Sequence, residues 1–188
     1  MRNLIIVVGL TLSLQGCFVA GAAAGAASAV AVYDHQKLEG VFKDQTITKQ
    51  ISDKIMADHA LSDNNHIEVT TFNQVVLLTG EANTPEQRQQ AEDIARGTPD
   101  VTKVYNELTI RGATSSLTRT SDSWITTKIK TEMLATQDLQ SGSIKVVTEN
   151  GAVYLMGIVT REQADMAVDI ARKVSGVQKV VKIFKYTN

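Results

Sequence analysis

The chain contains one stretch of sequence twice, which restricts it to folds built from two copies of a single unit. Ala91–Arg96 recurs as Ala167–Arg172, and Ile67–Gly80 aligns with Ile144–Gly157. The spacing between equivalent residues drifts from 78 to 77 to 76, so two single-residue gaps complete the alignment. Residues that agree between the copies are expected to serve the fold. A difference marks a place where one copy has been specialised.

The first residues of the chain read as a targeting signal. Residues 1–16 contain a basic residue and an apolar run of about a dozen residues, too short for a bilayer crossing, which needs roughly 20. The run ends in Leu-Gln-Gly-Cys17, which resembles the lipobox of bacterial lipoproteins, where the cysteine is acylated. Cys17 is the only cysteine, so it has no disulfide partner within the chain. We predict lipidation at Cys17, and Phe18 at the next position implies sorting to the outer membrane. The alternative is an ordinary cleaved signal peptide with a chance cysteine.

Residues 17–43 are predicted to form a tether between the lipid anchor and the folded part. The segment is rich in alanine and glycine, a composition typical of a compliant spacer. It also contains Gly21 and Gly25 at the small-xxx-small spacing that packs membrane helices. If the signal were left uncleaved, residues 4–33 would offer an alternative membrane-spanning segment.

The repeat divides the rest of the chain into two small domains, 44–111 and 121–188, joined by a linker at 112–120. Units of this size bury only about 60% of their unfolded surface, so we expect the copies to pack together. Residues 44–112 hold six basic and eleven acidic side chains, whereas residues 113–188 hold ten and seven. The opposite net charges, −5 and +3, indicate that the two domains meet different partners.

Each copy begins with a helix and contains a second helix later. Ile47, Ile51 and Ile55 recur every four residues, the spacing of an apolar helix face, and Asp44 is the predicted N-cap. The second helix is predicted to start after Thr84, because Thr84 and the residues that follow it have the sequence of a capping box.

Three strands complete each copy. His66–Phe72 and Val75–Gly80 are rich in β-branched residues, and the equivalent turn of the second copy is Asn-Gly, which favours a type I′ hairpin. Val101–Ile110 follows the second helix as the third strand. The predicted fold class is therefore α+β: two tandem α-β-β-α-β domains, each a three-stranded mixed sheet with two helices on one face.

These patterns resemble the BON domain of bacterial envelope proteins. Gly80 and Gly157 match the glycine that follows the second strand in that family, and Val177 with Val180 matches its closing strand. The stretch Ser121–Lys128 resembles the second domain of outer-membrane lipoproteins that carry two BON domains. The resemblance implies a monomeric, periplasmic, membrane-anchored protein associated with phospholipid binding, division sites and envelope integrity, without a cofactor.

The residues themselves give little support for catalysis or metal binding. His35, His59 and His66 lack counterparts in the second copy and lack the ligand spacing of a metal site, so we interpret them as solvated loop residues. There is no glycine-rich phosphate loop and no nucleophile elbow. The lysines are not interleaved with aromatic residues as they are in nucleic-acid platforms. We predict a protein that is not an enzyme and binds no metal or nucleic acid.

The first helix of the second copy carries the sharpest candidate site. Trp124, the only tryptophan, lies roughly 140° around the helix from the centre of its core stripe. Apolar groups flanked by lysines are typical of helices that bind anionic membranes. The predicted phospholipid-binding residues are Trp124, Thr127, Lys128, Lys130, Thr131 and Leu134. The alternative interpretation is that Trp124 packs between the two domains.

A protein-interaction role is the alternative function. The acidic first domain is predicted to dock a basic envelope partner, such as an assembly factor, through Glu81, Glu86, Glu92, Asp93 and Asp100. A third hypothesis is that an open sheet edge pairs with strands of client proteins.

Overall fold

The computed structural model describes residues 27–63, 65–111 and 116–187. The predicted signal peptide, Cys17, the start of the tether and residues 112–115 of the linker lie outside the described residues. Lys37–Asn188 forms one compact unit, and of Met1–Gln36 only the helical part from Ala27 is described. Within the described segments, no helix combines the length and apolarity needed to cross a bilayer.

Both copies have the predicted order of elements, which confirms the tandem α-β-β-α-β fold. The first copy adds a one-turn helix, and its third strand is split in two. Its elements are α1 (Ala27–Ala57), α2 (His59–Ser62), β1 (His66–Phe72), β2 (Val75–Ala82), α3 (Pro85–Arg96), β3 (Lys103–Asn106) and β4 (Thr109–Ile110). The second copy comprises α4 (Ser116–Ala135), a short 3₁₀ turn (Ser141–Ser143), β5 (Ile144–Glu149), β6 (Ala152–Val159), α5 (Arg161–Ala171) and β7 (Lys179–Tyr186).

Each copy forms a mixed sheet with the hairpin strands antiparallel and the last strand parallel. The order is β1-β2-β3 in the first sheet and β5-β6-β7 in the second. In the first sheet β4 also pairs with β2, because the chain leaves the ladder at Glu107 and Leu108 and rejoins it. Leu108 is buried, so the interruption turns an apolar side chain into the core.

The predicted N-cap at Asp44 is wrong, because α1 runs through this position. The carboxylate of Asp44 instead accepts hydrogen bonds from the backbone amides of Asn73 (2.6 Å) and Gln74 (2.8 Å) in the hairpin turn. Asp122 occupies the equivalent place in α4, which begins at Ser116 and so includes part of the predicted linker. Both turns have two consecutive residues with positive φ, as type I′ geometry requires.

The predicted apolar stripes face the sheets and form one core in each copy. Ile47, Ile51 and Ile55 pack with Val76 and Leu78 of β2. In the second copy Ile125, Ile129 and Met133 pack with the equivalent residues of β6 and with three alanines of α5. The two helices of each copy therefore cover the same face of its sheet.

A third core joins the two copies. Leu77 lies on the face of β2 opposite to the helices, because neighbouring side chains of a strand point to opposite faces. It packs with Tyr154, Met156 and Ile183 of the second sheet. The sheets are therefore stacked between two helical layers, as the small size of each copy predicted. All members of the three cores lie between Ile47 and Phe184, so the unit Lys37–Asn188 contains its complete core.

The glycine shared by the copies lies where the two hairpin strands come closest. At Gly80 φ is +104°, and an added Cβ would lie 2.0 Å from the carbonyl oxygen of His66. At Gly157 it would lie 2.8 Å from the carbonyl oxygen of Ser143. Both distances exclude a side chain, which explains why each copy has glycine here.

Candidate functional site

The outer face of α4 exposes two large apolar side chains. Trp124 is 55% exposed and Leu134 is 75% exposed. Ile125 and Ile129, on the opposite face, are at most 1% exposed and fix the rotation of the helix against the sheet. The geometry follows from the sequence, since at 100° per residue Trp124 and Leu134 must point away from the core stripe.

Two threonines lie between these apolar groups, and the hydroxyl of each makes a hydrogen bond within the helix. The hydroxyl of Thr127 donates to the carbonyl oxygen of Ser123, and that of Thr131 donates to the carbonyl oxygen of Thr127, both at 2.9 Å. Because each hydroxyl is already bonded within the helix, the cost of moving this face out of water is lower than for free hydroxyls.

The two predicted lysines lie at opposite edges of this face. The arc from Lys128 through Trp124, Thr131 and Leu134 to Lys130 covers about 160° of the helix. Lys128 forms an exposed ion pair with Glu132 (3.3 Å). Exposed ion pairs contribute little free energy, so this one breaks easily when another anion approaches. Both ammonium groups can therefore reach an anionic surface that the apolar residues contact.

Trp124 does not belong to the core between the sheets. That core consists of strand residues from both copies, among them Leu77, Tyr154 and Ile183. The alternative interpretation of Trp124, as a residue packed between the domains, therefore finds no support in this core.

The equivalent face of α1 differs in the way the sequence comparison indicated. Thr46 replaces the tryptophan, and an exposed ion pair between Lys49 and Asp53 (2.6 Å) lies across the middle. Met56, the counterpart of Leu134, is 64% exposed. Phe42 is 65% exposed on the same helix and was missed by the sequence interpretation, which assigned it to the tether.

A polar network crosses the contact between the copies. Glu81 is fully buried on β2, where its carboxylate pairs with Arg111 (3.2 Å). The side-chain amide of Asn150 donates to Glu81 (2.7 Å) and to Glu149 (3.0 Å) and so bridges the two repeats. The sequence interpretation missed this network, although the position of Glu81 at the end of an apolar strand was a signal.

Glu149 lies in a strongly perturbed environment. Burial, together with the negative charges of Glu81, Glu68 and Asp122, raises the pKa of its carboxyl to about 7. Arg119 acts in the opposite direction. At neutral pH this carboxyl therefore takes up and releases a proton.

The acidic face proposed for the first domain is smaller than predicted. Glu81 is wrong as a docking residue because it is fully buried. Asp100 pairs with Lys43 (2.9 Å) and Glu92 with Arg96 (2.6 Å). Hydrogen bonds from Asn106 and Arg96 lower the pKa of Glu92. Two further exposed acidic residues of the predicted set, Glu86 and Asp93, lie on α3.

Two of the three histidines, His59 and His66, have side chains that the structure describes. His59 is exposed in α2, whereas His66 begins β1 and its Nε2 lies 3.5 Å from a carboxylate oxygen of Glu68. His66 is thus the first residue of the predicted strand and is half-buried, which contradicts its interpretation as a solvated loop residue. Among the described residues, no group of three or more histidine, cysteine or acidic side chains has an arrangement suited to a metal ion.

The fold and the site define a tandem α+β protein with one specialised helix, and comparison with known proteins gives its family. The BON domain family matches residues 43–112 and 121–188. The chain is 35% identical to outer membrane lipoprotein DolP of Haemophilus influenzae over 99% of this chain and 96% of that protein. The chain therefore belongs to the BON-domain family, which confirms the resemblance found in its sequence.

Two other relatives cover most of the chain. The 21 kDa hemolysin of Actinobacillus pleuropneumoniae is 36% identical over 76% of this chain and 74% of its own length. Osmotically-inducible protein Y of Escherichia coli is 32% identical over 77% of this chain and 73% of its own length.

Proposed function

We propose that this protein is an outer-membrane lipoprotein, anchored through Cys17 on the periplasmic side, whose second BON domain binds anionic phospholipid. The lipobox-like sequence and the similarity to a protein named as an outer membrane lipoprotein support the anchor. Its role would be to support envelope integrity, with recruitment to division sites as one use of the lipid preference.

The observation that carries the proposal is the outward-facing Trp124 on α4. A tryptophan that is 55% exposed leaves a large apolar surface open to solvent. Tryptophan is favoured at membrane interfaces because its ring is apolar and its N–H still finds a polar partner. Leu134 extends the apolar contact along the helix by about 15 Å.

Lys128 and Lys130 supply the preference for anionic lipid. Each lysine close to an anionic surface contributes about 1 kcal/mol, and salt screens that contribution. The domain alone should therefore bind with modest, salt-sensitive affinity, whereas acylation at Cys17 supplies most of the anchoring.

A vesicle flotation experiment on the unit Lys37–Asn188 tests this function. The unmodified unit should float with phosphatidylglycerol vesicles, and Trp124→Glu should abolish flotation while circular dichroism and melting temperature remain unchanged. The matched control is Thr46→Glu, which changes the equivalent position of α1 and should have no effect. If folded Trp124→Glu floated normally, the lipid site would be excluded, and the exposed acidic residues of α3 would become the next candidate surface.

A further inference from the structure

A polar cavity of about 320 Å³ lies between the two repeats, beside the inner edge of α4. The first repeat contributes Glu68 from β1, and the second contributes Arg119, Asp122, Ser123, Thr127 and Glu149 among its lining residues. The volume suits a small organic ligand, because binding sites for small molecules begin at about 300 Å³. Trp124 does not line this cavity, although Thr127 belongs both to its lining and to the membrane-facing surface of the same helix.

The duplication provides an internal counterpart of this cavity. In the repeat alignment Glu68 is equivalent to Lys145, and Thr148 of the cavity is equivalent to Thr71. In the counterpart, the ammonium group of Lys145 donates a hydrogen bond to the carbonyl oxygen of Thr71 at 3.1 Å. Burial lowers the pKa of Lys145, and the charge of Asp44, the equivalent of Asp122, acts in the opposite direction.

The cavity thus has the surroundings of an ammonium site but lacks the lysine. Where the counterpart has Lys145, the cavity has the carboxylate of Glu68. The substitution replaces a positive charge by a negative one at the same place in the interface. A cation from outside the chain would occupy the position that Lys145 occupies in the counterpart.

The electrostatics of the lining point to the same class of ligand. Three carboxylates and one guanidinium line the cavity. The raised pKa of Glu149 indicates that burial and surrounding negative charge disfavour its ionised form. A bound cation would offset this potential, and the hydroxyl oxygens of Ser123 and Thr127 are additional acceptors for N–H donors.

We propose that this cavity binds a primary ammonium group, with the carboxylates of Glu68 and Glu149 as its main acceptors. An ammonium group donates three hydrogen bonds, which matches carboxylate and hydroxyl oxygens converging from two repeats. The group can come from a free amine or from the ethanolamine head group of a phospholipid. In the second case the phosphate would lie beside the ammonium group, in a lining whose cationic side chain is Arg119.

Titration of the ¹⁵N-labelled unit Lys37–Asn188 with ethanolamine and with putrescine tests the site. We expect saturable shifts of the amides of Glu68, Ser123 and Glu149, and Glu68→Gln and Glu149→Gln should each weaken binding by about tenfold. Glu86→Gln, an exposed change on α3, is the control and should leave binding unchanged. Absence of saturable shifts, or an affinity that is unchanged in Glu68→Gln, would overturn the proposal.

The pH dependence gives a second readout. Groups facing Glu149 are Glu68 and Glu81 of the first repeat and Asp122 and Arg119 of α4. Because the amine binds the ionised carboxyl, its affinity should rise between pH 6 and pH 8. The rise should disappear in Glu149→Gln. An affinity that falls over this range would contradict the proposed contact.

Vesicle experiments distinguish the two sources of the ammonium group. If the source is a lipid head group, Glu149→Gln should reduce binding to vesicles that contain phosphatidylethanolamine but not to vesicles of phosphatidylglycerol alone. If the source is a free amine, Glu149→Gln should affect only the soluble ligands. Trp124 is not among the residues that line the cavity, so Trp124→Glu should leave binding of soluble amines intact even if it removes vesicle binding.

Discussion

Asp44 and Asp122 have the same structural role in the two repeats: each carboxylate holds the hairpin turn of its own sheet from the first helix. Asp122 accepts hydrogen bonds from the amides of Asn150 (2.7 Å) and Gly151 (2.9 Å). Asp44 does the same with the turn at Asn73. These contacts fix the helix relative to the sheet, and in α4 they set the direction in which the outer face points.

Removing either carboxylate should destabilise its repeat. Asp122→Ala leaves two turn amides without their charged acceptor, so we expect a loss of about 2–3 kcal/mol in the free energy of unfolding. Asp44→Ala should have a similar effect, measured by urea denaturation followed by circular dichroism. Asp53→Ala, which removes only an exposed ion pair on α1, should change stability by less than about 0.5 kcal/mol. Equal effects of all three changes would contradict the role assigned to the two caps.

Replacing Gln74 by glycine should stabilise the turn of the first hairpin. Gln74 has a φ of +63°, whereas the second hairpin has Gly151 at the equivalent position. A left-handed conformation costs a residue with a side chain roughly 1 kcal/mol. Gln74→Gly should therefore raise the melting temperature. The gain in the free energy of unfolding should be about 1 kcal/mol or less, because glycine also increases the backbone entropy of the unfolded chain. The reverse change, Gly151→Gln, should lower it.

Protonation of Glu149 should make stability depend on pH. Its pKa in the folded protein is about 7, above the ordinary value of 4.5, because of burial and three neighbouring carboxylates. The folded state therefore binds more protons than the unfolded state between these values, and stability falls as pH rises from about 4.5 to 7. The shift corresponds to about 3 kcal/mol, which partial exposure to solvent reduces to on the order of 2 kcal/mol above this range.

The variant Glu149→Gln isolates this contribution. We expect it to stabilise the protein at pH 8, to have little effect at pH 4.5, and to flatten the profile of melting temperature against pH. Glu162→Gln is the control, because the pKa of that carboxyl is lowered by its own backbone amide and the hydroxyl of Thr160. A larger stabilisation by Glu149→Gln at pH 4.5 than at pH 8 would show that the sign is wrong.

The fold could be predicted from the sequence because the apolar spacing within each helix and strand agrees with the turn and capping residues between them. Ile47, Ile51 and Ile55 mark one helix face, and the same spacing recurs in the second copy. The Asn-Gly turn and Thr84 then fix the ends of the remaining elements. Duplication strengthened each inference, because two independent stretches of sequence had to satisfy the same packing.

The contact between the repeats could not be predicted in the same way. The pattern of β2 indicates which residues are buried, but it does not indicate that Glu81 meets Asn150 of the other repeat. Such pairings depend on how two sheets are stacked, which local spacing does not encode. The hydrogen bonds from the hairpin turns to Asp44 and Asp122 were missed for a related reason. An aspartate near the start of a predicted helix resembles an N-cap, and only the position of the hairpin in the fold reveals its true partner.

The two lysines of the outer face should control the salt dependence of membrane binding. Lys128→Gln and Lys130→Gln should each weaken binding to phosphatidylglycerol vesicles by about fivefold at low salt, as expected for about 1 kcal/mol per lysine. The difference should shrink as salt is raised, because screening removes the contribution. Lys182→Gln, an exposed lysine on β7, is the control. Equal losses in all three variants would point to net charge instead of these two positions.

The environment of Trp124 in the membrane-bound protein tests the central claim most directly. Trp124 is the only tryptophan, so the emission of the full acylated chain in vesicles reports on this residue alone. In phosphatidylglycerol vesicles its emission should shift to shorter wavelength and be quenched by lipids brominated on the acyl chains, and in phosphatidylcholine vesicles both effects should be weak. Emission typical of water, with no quenching in either lipid, would contradict the account.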